Sequence, residues 1–326
     1  MNRIPHRGRS PQGLVRCFGA AVLLCLTWSV AAAGQTPTAQ AQRAPTHLAC
    51  SKLASKILAR SVDYCVDLPA NYSSTHERYP VLYFLHGLFE DYRAWDENGG
   101  KTVLDSMLQR GSIGPFLVVL PNAGRRSFYV NSYDGRERYE DFLIRELVPA
   151  IDRQYRTIPN PGARGISGVS MGGYGSLHLA MRYPDVFGSV SAQGAALVAS
   201  LPHPLPSSGP WAFYQRVLAE AFGDPVNVSY WDANNPLTLA EHPEKFLNLE
   251  IYFDCGTQDR FGFENGAETL DRILNQHDFP HIFALRTGGH GWSYLRKYLR
   301  YALQFHWSCF RVYERSSSAR AAAVGR

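Results

Sequence analysis

The chain has 326 residues, 45% of them hydrophobic, and a formal net charge of +5. Of its 33 basic residues four, Arg3, Arg7, Arg9 and Arg16, fall in an acid-free first segment, which leaves 29 basic against 28 acidic residues in the remainder. A nearly neutral body gives no electrostatic footprint for nucleic acid, so no nucleic-acid partner is expected, and its length suits one α/β domain with a large core.

The basic start is followed by an apolar run over 17–30, too short for a comfortable membrane span, that closes on Ala31-Ala32-Ala33. A basic beginning, a short apolar centre and a small-residue exit describe a secretory signal peptide over 1–33, with an uncleaved anchor as the alternative. The protein is therefore expected to be secreted or periplasmic, with no stable membrane span after signal cleavage. Residues 34–45 are small and polar and read as a disordered lead-in. The folded body is expected over 46–310, and 311–326, which lacks apolar periodicity, as a frayed tail.

Segments 46–53 and 60–68 read as two antiparallel strands joined near Leu58. Cys50 and Cys65 lie almost symmetrically about that turn, which predicts a disulfide between them in an oxidising compartment. Cys255 ends a later strand, whereas Cys309 lies far into a terminal helix, which disfavours a pairing between them and leaves two ordinary buried thiols as the alternative.

Residues 80–88 form a continuous apolar run closing on His86-Gly87-Leu88, the pattern of a strand buried on both faces of a parallel sheet. A helix over 101–110 and a buried strand over 116–120 follow. The polar and aromatic loop 122–136 leaves that strand and reads equally as pocket lining or as a solvated loop. Residues 137–155 carry Phe142, Leu143, Leu147 and Ile151 at helical spacing.

The stretch Gly165-Ile-Ser-Gly-Val-Ser170-Met-Gly-Gly-Tyr-Gly175 then passes from a short strand through a sharp turn into a helix that Pro184 stops before another strand over 186–192. Gly168, Ser170 and Gly172 make the pattern G-x-S-x-G, which in this context is a nucleophile elbow: the serine takes a strained conformation and its hydroxyl stands clear of the sheet. A side chain at 168 or 172 would collide where strand and helix approach.

Residues 197–246 are punctuated by prolines and read as an irregular insertion over the site. Its aromatics, including Trp211, Phe213, Tyr214, Phe222, Tyr230 and Trp231, either wall a pocket or pack the insertion. A strand over 248–254 leads into Cys255-Gly-Thr-Gln-Asp259-Arg-Phe261, where an acid belongs. Asp254 and Asp259 both qualify; Asp259 is favoured because it hangs in the loop, free to reach an imidazole. After a helix over 262–277 and a last strand over 281–286 comes Thr287-Gly-Gly-His290-Gly-Trp292. His290 alone among eleven histidines satisfies the chain order Ser, Asp, His on successive strand ends. His86, at a strand end before glycine, is expected to hold a loop.

Ser170, Asp259 and His290 are thus the candidate nucleophile, acid and base for acyl transfer to water, with the backbone N–H groups of Leu88 and Met171 as oxyanion donors. Trp211, Phe261 and Trp292 are the aromatic candidates for substrate contact. No cluster has metal-ligand spacing, and neither a metal nor another cofactor is expected.

Tyr83-Phe-Leu-His-Gly87, Gly168-Val-Ser-Met-Gly-Gly173, Asp254-Cys-Gly-Thr-Gln-Asp259 and Gly288-Gly-His-Gly-Trp292 also resemble, in order, the motifs of the esterase D-like branch of α/β-hydrolases. That branch includes S-formylglutathione hydrolases, feruloyl and acetyl-xylan esterases and secreted mycolyltransferases. The resemblance spans about 46–310. It implies an α/β-hydrolase fold with a mostly parallel central sheet, an antiparallel N-terminal hairpin and helices on both faces. It also implies a serine carboxylic-ester hydrolase acting on a small-molecule or carbohydrate ester, with the same three residues as triad. A signal sequence argues against the formylglutathione role. A mycolyltransferase-like cell-wall acyltransferase and a non-catalytic binding protein on the same fold are the alternatives.

Overall fold

The computed structural model describes residues 44–324. The expected signal segment and most of the lead-in lie outside the described residues. An eight-stranded sheet forms the centre: β1 (His47–Ser55), β2 (Arg60–Leu68), β3 (Val81–Leu85), β4 (Leu117–Pro121), β5 (Arg164–Val169), β6 (Ser189–Gln193), β7 (Glu250–Gly256) and β8 (Ile282–Arg286). Their spatial order is β1-β2-β4-β3-β5-β6-β7-β8. The β1–β2 and β2–β4 pairings are antiparallel and every other is parallel. Cys50 pairs directly with Cys65 across the hairpin and the two form a disulfide.

The apolar runs become central strands because both of their faces are covered. Along β3, Val81, Tyr83 and Leu85 join one core cluster, while Leu82 and Phe84 join the other; Leu117 and Val119 of β4 divide from Val118 and Leu120 in the same way. This is the two-residue period of a strand read by two layers at once. Helices α1 (Ala94–Glu97), α2 (Gly100–Gln109) and α9 (Trp292–Val324) cover one face. The other carries α3 (139–154), α4 (Met171–Arg182) and α8 (Phe263–Gln276). Helix α3 widens to π geometry over Phe142–Leu147, just before Pro149, which has no N–H to continue the regular ladder.

Two expectations require correction. Residues 197–246 are irregular only as far as Ser208; beyond it they carry three helices, α5 (Ala212–Phe222), α6 (Val228–Asn234) and α7 (Pro236–Ala240). Pro202, Pro204 and Pro206 do lie in irregular backbone, but Pro210 and Pro236 fall in the first turns of helical segments. Asn227 and Asn235 cap α6 and α7 by accepting from the Tyr230 and Leu237 N–H groups, and Pro236 occupies the first turn of α7. The residues past Phe310, expected to fray, continue α9 as far as Val324. The Tyr313 ring lies over Gly162, which has no side chain to hold it off, and the Ala- and Arg-rich remainder has high helix propensity.

The register brings the chemistry together. Leu85 pairs with Gly168, Val169 with Gln193, Gln193 with Asp254 and Gly256 with Arg286. The carboxyl ends of β3, β5, β6, β7 and β8 therefore lie along one edge, where open parallel sheets build their sites.

Candidate active site

Ser170 terminates β5 at φ 56°, ψ −116°, a conformation that costs an L-residue on the order of 1–3 kcal/mol and persists only where the surroundings dictate it. They do so here. A Cβ at Gly168 would fall on the Gly172 carbonyl, and one at Gly172 on the Leu85 carbonyl. The strand can therefore turn directly into α4. The Ser170 N–H donates to the Gln193 carbonyl at 3.1 Å, tying the elbow to β6.

The Ser170 hydroxyl lies 2.9 Å from His290 Nε2, and His290 Nδ1 lies 2.6 Å from Asp259 Oδ2. With a carboxylate facing Nδ1, that nitrogen carries the proton and Nε2 is left to accept from the serine. Asp259 is 7% exposed and is held from two further sides. Its Oδ1 accepts from the Phe261 N–H at 2.9 Å, and the Cys255 thiol approaches Oδ2 at 3.7 Å. Burial, with the Asp259 charge added, pushes the Cys255 thiol well up, so it stays protonated and donates. The rings of Phe261 and Phe263 pack edge-to-face against the imidazole at 4.9 and 5.4 Å, restricting its rotation.

Asp254 lies elsewhere. Its carboxyl accepts from the hydroxyls of Tyr252 at 2.5 Å and Tyr294 at 2.9 Å, and burial pushes it up to about 6. His86 is buried, and burial lowers it to about 4. Its Nδ1 lies 3.0 Å from the Gly87 carbonyl, while Nε2 accepts from the Ala123 N–H at 3.4 Å. It thus fastens the loops after β3 and β4 to each other.

A cavity of about 480 Å³ opens beside the serine, lined by Leu88, Phe128, Met171, Val198, Leu201, Phe213, Tyr214, Val217, Leu218, Trp231, Phe261 and Trp292 among others. The Leu88 and Met171 N–H groups have no acceptor among the described residues. Phe261 and Trp292 stand in the cavity wall. Trp211 does not: it packs behind Tyr214, ring centres 5.5 Å apart. The insertion instead presents Phe213, Tyr214 and Trp231, because the helical period of α5 turns 213, 214, 217 and 218 to one side. Of the 122–136 loop only Phe128 reaches the cavity. Phe128 and Tyr129 have successive positive φ values, 50° and 60°. Glu90, which sequence reasoning did not single out, is also in the wall; no local pattern marks it, since its partner Trp292 is 202 residues away.

A doubly covered, mostly parallel sheet with a serine on a strained strand-to-helix turn, facing a histidine and an aspartate from later strand ends, defines an α/β-hydrolase. Comparison with known proteins agrees: the Esterase family matches residues 55–306, and the chain belongs to it. An esterase of Mycobacterium tuberculosis is 31% identical over 244 residues, 68% of this chain and 51% of that protein. An acetyl esterase of Caldicellulosiruptor saccharolyticus is 29% identical over 71% of this chain and 84% of its own length. Among solved structures, a ferulic acid esterase superposes with a TM-score of 0.69 at 27% identity, covering 82% of this chain and 99% of that one. The chain spans about half the length of the first curated relatives it matches.

Proposed function

We propose that the protein is a secreted serine esterase that hydrolyses carboxylic esters through an acyl-enzyme on Ser170. The observation that carries the reading is His290 placed between the Ser170 hydroxyl, at 2.9 Å, and the Asp259 carboxylate, at 2.6 Å. Attack of Oγ on the ester carbonyl sends the serine proton to Nε2, and Asp259 stabilises the imidazolium so formed. The carbonyl oxygen, now anionic, is received by the N–H groups of Leu88 and Met171. Collapse expels the alcohol with the proton from His290. Water then repeats the sequence on the acyl-enzyme and releases the acid.

The cavity is predominantly apolar, which suits an acyl group larger than acetyl. The names of the relatives, an acetyl esterase and a ferulic acid esterase, support an ester of this general kind, borne by a small molecule or a carbohydrate. Export is supported by the basic and apolar start of the sequence and by the Cys50–Cys65 disulfide. Hydrolysis of p-nitrophenyl esters by wild type and Ser170→Ala, with and without a sugar acceptor, tests the reading. Acyl transfer to the sugar in place of water would assign an acyltransferase, and an inactive wild type would leave a binding protein. N-terminal sequencing of exported protein is expected to begin near Gly34; a retained Met1 would refute cleavage.

A further inference from the structure

The loop after β3 carries the Leu88 N–H, and its neighbours on both sides are already committed. The Gly87 N–H donates to Glu90 Oε2 at 2.9 Å, and the Phe89 N–H donates to the Arg125 carbonyl at 2.8 Å. The Glu90 N–H closes the turn on the Gly87 carbonyl at 3.3 Å, and Phe89 is held at φ 66°. A non-glycine residue in that region needs its surroundings to keep it there. Glu90 supplies more than the local turn. Its other oxygen, Oε1, accepts from the Trp292 indole N–H at 2.6 Å. Trp292 begins α9 two residues after His290 and rests against Phe84 of β3, ring centres 6.1 Å apart.

We infer that Glu90 is a positioning residue that clamps the loop bearing the Leu88 N–H to the segment bearing His290, so that oxyanion donor and base keep a fixed separation. The inference rests on the serine-esterase reading. The geometry requires two acceptor oxygens on a side chain of this length, each accepting from one of two N–H groups on opposite sides. A glutamine has the same shape but one acceptor, so its NH₂ must face either the Gly87 or the Trp292 donor. An aspartate is one methylene too short to span both. A wall residue acting by shape alone would tolerate glutamine, and a bare negative charge beside a developing oxyanion would oppose reaction, so its removal would raise the rate.

The test is Glu90→Gln, Trp292→Phe and the double variant, assayed on a p-nitrophenyl ester beside Ser170→Ala. Displacement of a reacting group by about 1 Å costs on the order of 100-fold. Glu90→Gln is therefore expected to lose about 10- to 100-fold in kcat, with KM within about twofold, and to bind phenylboronic acid, a tetrahedral-adduct mimic, more weakly by a similar factor. In Glu90→Gln/Trp292→Phe the glutamine oxygen is free for the Gly87 N–H, and kcat is expected to recover about fivefold or more over Glu90→Gln. Wild-type or raised kcat in Glu90→Gln, or a double variant no faster than the single one, overturns the inference while an inactive Ser170→Ala leaves the esterase reading standing. An active Ser170→Ala would overturn the reading itself. If Glu90→Gln does not fold, Trp292→Phe decides: a loss of about two- to fivefold in kcat with matching weakening of boronate binding supports the clamp, and wild-type values for both refute it.

Discussion

Among the described residues two histidines, His290 and His306, face serine hydroxyls at hydrogen-bond distance, and only His290 also faces a carboxylate. At the sheet edge, His290 Nε2 lies 2.9 Å from Ser170. In the core between α9 and β6, His306 Nε2 lies 2.9 Å from Ser191, and its Nδ1 lies 2.8 Å from Ser189. The second pair is completely buried. Its histidine faces hydroxyls on both nitrogens and no carboxylate, so burial alone sets its behaviour and lowers it to about 3. Ser191 lies within a strand and is further tied to Ser167 at 2.8 Å, whereas Ser170 stands past a strand end on a strained turn, open to a cavity. A serine near an imidazole is therefore not a nucleophile by virtue of distance. A carboxylate behind the ring, access for a carbonyl and free N–H groups for its oxygen make the difference.

Breaking each pair should give opposite signatures. Ser170→Ala or His290→Ala is expected to lower kcat by about four to six orders of magnitude with little loss of stability. Ser191→Ala is expected to leave kcat within about threefold and to cost about 1–3 kcal/mol in urea unfolding, because it leaves a buried imidazole nitrogen without its partner. Comparable kcat losses in both would erase the distinction.

The carboxylates sharpen the comparison at the next level. Asp259→Asn, which presents the wrong group to His290 Nδ1, is expected to lower kcat by about 10²- to 10⁴-fold. Asp254 touches Tyr252 and Tyr294 but not His290, and Asp254→Asn is expected to keep kcat within about fivefold. Steady-state kinetics of the two variants checks both values.

A pH titration of stability separates the core pair. The unfolded chain protonates this histidine near its ordinary 6.5, whereas the folded chain resists until about 3. His306 therefore contributes stability that is fully present above 6.5 and lost as pH falls through that window, at up to about 1.4 kcal/mol per unit. His306→Gln is expected to flatten the slope of unfolding free energy between pH 6.5 and 4.5 by about one proton while leaving activity at pH 8 nearly unchanged. An unchanged slope would refute the burial argument. The smallest effect on activity is expected from the hairpin: opening the 15-residue separation between Cys50 and Cys65 with Cys50→Ala/Cys65→Ala should cost about 2–3 kcal/mol of stability and no kcat.

The contrast also explains what was legible in the sequence. The strands, the elbow and the order Ser170, Asp259, His290 are written locally, as continuous apolar runs, close-approach glycines and loop residues after strand ends. Asp259 could be preferred over Asp254 because one hangs in the loop after β7 and the other belongs to the strand itself. What depends on tertiary placement was not legible. Helices α5 to α7 hide behind prolines and short asparagine caps, and Trp211 looks like any pocket aromatic until the turn preceding α5 packs it on Tyr214. The continuation of α9 past Phe310 depends on Gly162 leaving room for Tyr313, and Glu90 gains its meaning only when Trp292 reaches it.

Whether Ser170 and no other serine is the nucleophile can be read by mapping the adduct of an active-site phosphonate ester by peptide mass spectrometry. One stoichiometric adduct is expected on Ser170, formed in step with loss of esterase activity, absent in Ser170→Ala and strongly slowed in His290→Ala. An adduct on another residue, or full activity in protein fully modified at Ser170, would contradict that role.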